Sequence, residues 1–88
     1  PPISKLDLLS EDEYMTIMVT PENLWNVSSE EFMGGLADRG CREVTYVLFG
    51  GKMSAFEMNY LNDQIELLNN DYKGRVSITL QGEREEAV

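Results

Sequence analysis

The chain has 88 residues, 42% of them apolar, with 7 Lys and Arg against 16 Asp and Glu for a formal charge of −9. That length admits a single domain with a thin margin of stability, the apolar share excludes a disordered chain, and the charge opposes direct contact with nucleic acid. No apolar run approaches the ~18 residues that span a bilayer; with no His and Cys41 as the one cysteine, there is no internal disulfide, no imidazole base and no Cys/His metal set.

These absences lead us to expect no enzyme, no cofactor and no metal site. A lone cysteine is the pattern of a reducing compartment, which points to the cytoplasm. Cys41 itself reads as a small apolar residue at a strand entrance rather than as a nucleophile, because nothing is present to activate it.

Residues 1–12 carry Pro1, Pro2, Ile3, Leu6, Leu8 and Leu9 ahead of Glu11-Asp12-Glu13, and read as an extended arm whose leucines pack on something. Tyr14 to Val19 is short, apolar and β-prone, a buried strand. Thr20-Pro21 then offers an N-cap followed by a proline at the first helical position, enough for one turn over Pro21 to Asn26. Ser28 and Glu31 have the spacing of a capping box. Phe32, Met33, Leu36 and Ala37 follow at helical spacing, and Gly40 sits where a left-handed stop belongs. Gly34-Gly35 inside this helix costs about 1 kcal/mol per glycine relative to Ala, which points to close packing against a neighbour more than to a hinge.

Arg42 to Phe49 is apolar on both alternating faces, the mark of a central strand. Gly50-Gly51-Lys52 breaks it. Ser54 and Glu57 form a second capping box. Met58, Leu61, Ile65, Leu68 and Tyr72 then make one apolar seam on a long helix, with Phe56, Tyr60 and Leu67 widening it. Lys73-Gly74 ends that helix. Arg75 to Gln81 alternates as a strand with Val76, Ile78 and Leu80 inward. The chain from Gly82 to Val88 reads as a flexible acidic tail.

The order is therefore β-α-β-α-β: one small α/β (or α+β) domain over residues 1–88, with a three-stranded, mostly parallel sheet. Right-handed crossovers put the helices on one face. Parallel sheets are normally covered on both faces, so the other face, carrying Met18, Val47 and Phe49 (or Tyr46 and its set, if the register is flipped), needs a cover. The leucine-bearing arm, a second copy of the chain or a different protein could supply it.

Gly50-Gly51-Lys52 with Ser54 joins a strand to a helix N-terminus, a place that favours anions. The nucleotide-binding pattern G-x-x-x-x-G-K-[ST] fails here, because Tyr46 stands where its first glycine belongs and Met53 where its Ser or Thr belongs. A weak anion site at Gly50, Gly51, Lys52 and Ser54 is what remains. The acidic pairs Glu11 with Glu13 and Glu30 with Glu31 lie in polar segments and lack the separated environments that acid–base work requires. Trp25 reads as a lid over the core edge or as an anchor for a partner, since tryptophan is enriched at binding hot spots.

The function expected from these features is that of a small acidic protein-binding or regulatory module, without catalysis, acting through Met18, Trp25, Val47 and Phe49. Its partner is another protein or a second copy in a homodimer, with no direct nucleic acid and no membrane. The alternative is an acidic inhibitor that mimics nucleic acid and fills the basic groove of a nucleic-acid-binding protein. A further alternative is a piece of a larger enzyme or assembly that holds a phosphate at the Gly50-Gly51-Lys52 turn.

Overall fold

The computed structural model describes residues 13–49 and 52–84. In chain order the elements are β1 (Tyr14–Val19), α1 (Leu24–Val27), α2 (Glu30–Asp38), β2 (Glu43–Phe49), α3 (Ala55–Asp71) and β3 (Ser77–Arg84). The three strands form one parallel sheet in the order β1-β2-β3. This is the expected small α/β domain with its most apolar strand at the centre.

Register sorts the strand residues into two faces. Met15, Val44 and Ile78 lie in one row, and Ile17, Tyr46 and Leu80 in the next. These residues join Val19, Leu48 and Val76 in the core with Leu24 and Val27 of α1, Met33 and Leu36 of α2, and Leu61, Ile65 and Leu68 of α3. All three helices thus bury their apolar sides against the same face of the sheet. The opposite face carries Tyr14, Thr16 and Met18 of β1, paired in register with Glu43, Thr45 and Val47 of β2, which pair in turn with Ser77, Thr79 and Gln81 of β3.

The helix boundaries follow local chemistry, with two shifts: α1 starts at Leu24 instead of Pro21, because Thr20 closes a turn onto the Asn23 N–H (3.3 Å) and Asn23 stands at the N-cap without a side-chain cap bond, and the cap of α2 moves by one residue. At α3 the Ser54 hydroxyl accepts from the Glu57 N–H (3.1 Å) while the Glu57 carboxylate accepts from the Ser54 N–H (2.8 Å), which is the expected reciprocal box. At α2 the cap is Ser29, not Ser28: its hydroxyl accepts from Phe32 N–H at 3.1 Å. Ser28 is fully buried and turns its hydroxyl back to the Leu24 carbonyl at 2.6 Å. Burial claims Ser28 first, so the solvent-facing serine after it takes the cap. Helices α2 and α3 are followed by glycines with positive φ, Gly40 at 90° and Gly74 at 86°.

Two further points bear on the glycines and the last strand. A Cβ on Gly34 would meet the Tyr72 hydroxyl at 3.2 Å, while one on Gly35 meets nothing within 4 Å. Close packing therefore explains the first glycine of the pair. β3 runs on to Arg84, and Phe49 pairs with Arg84 past an irregularity after Val47, so Gly82 to Arg84 belong to the sheet instead of the expected tail. The leading arm 1–12, Gly50, Gly51 and residues 85–88 lie outside the described residues. No helix among the described residues is long and apolar enough to cross a membrane.

Candidate functional site

The short helix α1 sets the site. Leu24 and Val27 own its inward side and are buried, so Trp25 between them points outward and is 47% exposed. The corner that holds α1 is pinned from two directions. The buried Tyr46 hydroxyl of β2 donates to the Val27 carbonyl, and Gln64 of α3 donates to the Ser28 carbonyl at 2.8 Å. Burial pushes the Tyr46 hydroxyl well above the usual tyrosine range, because a phenolate there would lose its water. Asn23 holds the entrance to α1: its side chain donates to the Met18 carbonyl (2.8 Å) and accepts from the Thr20 N–H (2.9 Å).

Trp25 meets two rings of α3. Its ring centroid lies 4.4 Å from that of Tyr60, tilted by 51°, and 6.5 Å from that of Phe56, tilted by 47°. Such offset, tilted pairs are favoured by the ring quadrupoles and hold the rings in place. Phe56 is nevertheless 71% exposed, and Leu67 further along the same helix is 48% exposed. Phe56 and Leu67 were expected to widen the core seam. They do not, because at 100° per residue Leu61 stands about 140° around the helix from Phe56. Phe56, Tyr60, Asp63 and Leu67 recur at intervals of four, three and four along a second stripe, of which Phe56, Asp63 and Leu67 are exposed while Tyr60 is partly buried and packs against the core, as expected. That spacing is the signal in the sequence that sets Phe56 and Leu67 apart from the core set.

The other candidate positions are distributed differently. Met18 and Val47 are register partners on the open sheet face, as expected. Met18 is 44% exposed, but Val47 is only 3% exposed and offers no surface of its own, and Phe49 is partly buried. Trp25 is not part of this group, since it packs on α3 in the helix layer. At the start of α3, Lys52 is exposed, and the Ser54 N–H that would meet an anion is already held by the Glu57 carboxylate. A negative charge of the chain's own therefore stands where the anion was expected.

Two open clefts of about 380 and 470 Å³ lie at the other end of the sheet and share Glu13, Arg42, Gly74 and Arg75. Their charges are mixed. Arg75 also contacts Asp38 at 3.5 Å and lies 5.6 Å from the centre of the Tyr72 ring; both members of the ion pair are exposed, so the pair contributes little. Cys41 borders one cleft but is buried, with its sulfur directed at the Glu13 and Glu43 carbonyls. Among the described residues no three Asp, Glu or Cys side chains gather as a metal site.

The surface brings the rings of Trp25, Phe56 and Tyr60 together, with Trp25 and Phe56 exposed, above a corner held by two hydrogen bonds. No family model, curated protein or solved structure matches the chain.

Proposed function

We propose that this domain is a protein-binding module whose contact surface is the ring cluster of Trp25, Phe56 and Tyr60. The observation that carries the reading is the exposure of Phe56 and Trp25 in a cluster whose geometry is fixed from beneath. Small proteins seldom leave such rings together in water, and rimmed apolar patches mark interaction sites. The helix layer carries more of this surface than the open sheet face does. On the sheet face Tyr14 and Met18 are exposed among Thr16, Glu43, Ser77, Thr79 and Gln81, while Val47 is buried.

A photo-crosslinking amino acid tests this when placed at position 56, or at position 79 on the open face, and irradiated in the native cells. Protein adducts through position 56 and none through position 79 are the expected result. Adducts only through position 79 would move the contact to the sheet, and none at either position would end the binding-module reading.

A further inference from the structure

The outer stripe of α3 is not uniformly apolar, and its one charge selects the partner. Asp63 is exposed between Tyr60 and Leu67, with Asn59 and Glu66 exposed beside it. Among the described side chains, Arg39, Arg42, Lys73 and Arg75 stand in the connections that lead into β2 and β3, at the end of the sheet opposite Trp25. Lys52 is the one described cation in the connection that leads into α3. The stripe from Phe56 to Leu67 is about 16 Å long at 1.5 Å per residue, the length of three helical turns, and its four-three-four spacing is the seam that a second helix packs against.

Resting on the binding-module reading, we propose that this stripe and Trp25 dock an amphipathic helix of a partner protein that carries Arg or Lys on its apolar side. The cation pairs with Asp63 and lies over the face of Trp25 or Tyr60, whose ring electrons attract it. The aliphatic side chains of that helix cover Phe56 and Leu67. A second copy of the chain is the wrong occupant. It would bring a formal charge of −9 against another −9, and a helix-to-helix pairing would bury two copies of Asp63 with no cation between them, which like-charge repulsion and desolvation oppose.

The test uses a synthetic amphipathic helix of Leu and Arg, free of tryptophan, so that Trp25, the only tryptophan, reports binding by its emission. Two control peptides replace Arg by Glu or Leu by Gln. The Leu/Arg peptide is expected to saturate at one per chain, shift Trp25 emission to the blue and move amide signals in α1 and along the outer turns of α3. Phe56→Ser and Leu67→Ser keep the charge and each should weaken binding about tenfold, the loss usual for a central anchor. Asp63→Asn should weaken binding and flatten its salt dependence. Equal binding of the Leu-to-Gln control, or indifference to both serine substitutions, would reduce the effect to unspecific charge attraction and overturn the proposal. So would a doubled mass in sedimentation that Phe56→Ser abolishes, since the occupant would then be a second copy. Protein adducts at position 56 with no binding of the Leu/Arg peptide would sink this partner class and leave the module reading standing; failure of both experiments would sink both.

Discussion

The two outer surfaces of this domain differ in a way that the count of apolar residues does not reveal. On the sheet side facing away from the helices, Tyr14 and Met18 are the large exposed apolar side chains among the described residues, at 69% and 44%, and both stand on edge strand β1, Tyr14 beside Glu43 and Met18 beside the buried Val47. On the helix side, Phe56, Trp25 and Leu67 are exposed while packed in line or ring against ring. The sheet face sets its two exposed apolar side chains apart at positions 14 and 18, whereas the helix side brings Trp25 and Phe56 into ring contact. The lesson is that a helix layer that covers the core can still leave large apolar side chains exposed on its own outer side.

The largest effect that would break this contrast concerns the two sides of the sheet. Leu61 is fully buried beneath α3, so Leu61→Ala should cost about 2–5 kcal/mol in urea denaturation. Thr79→Ala, on the open side, should stay within about 0.5 kcal/mol. A comparable loss at Thr79 would mean that the open face is covered after all.

The next effect lies under the ring cluster. Tyr46→Phe removes the donor to the Val27 carbonyl and should cost about 1–3 kcal/mol, the penalty for a buried acceptor left without its partner. It should also change the alkaline limb of stability. The folded state holds the Tyr46 proton above the ordinary value of 10.0, so the stability from this group is complete below that pH and is lost as pH rises toward the folded value. Denaturation midpoints measured upward from neutral pH should therefore fall more steeply for the wild type than for Tyr46→Phe above that point. Parallel curves would show that Tyr46 does not carry the alkaline loss.

A smaller effect concerns the edge where the two sides meet. The Asn69 side chain of α3 accepts from the Ile78 N–H at 2.7 Å and donates to the Ile78 carbonyl at 3.0 Å. It thereby closes part of β3 against pairing with another strand. Asn69→Ala should cost about 1–2 kcal/mol and give a concentration-dependent mass in sedimentation. A variant as monodisperse as the wild type would show that this edge needs no such guard.

Much of this architecture was legible along the chain. Tyr14 to Val19 carries its strand signal in consecutive β-branched and apolar residues, and Ser54 with Glu57 marks a helix start by local hydrogen bonds alone. Gly40 and Gly74 announce helix ends because few other residues adopt positive φ. The misreadings share one cause. Ser28 has the capping-box spacing to Glu31, but burial turns its hydroxyl to the Leu24 carbonyl and leaves the cap to Ser29. Phe56 and Leu67 are apolar like their neighbours; their spacing marks a second stripe on α3, but the crossing of α3 over the sheet decides which stripe faces inward. Val47 was placed on the correct face, but its burial depends on neighbours that two other strands bring.

The amino-acid order by itself determined the sequence of strands and helices, the capping box of Ser54 with Glu57 and the parallel sense of the sheet, since these rest on interactions within a few residues and on the short reach of the connections. The tertiary structure alone decided that Trp25, Phe56 and Tyr60 meet. Residues 25 and 56 are brought together by α1 and α3 packing side by side on one sheet face, and burial of the core fixes that arrangement without regard to what is left on the outside.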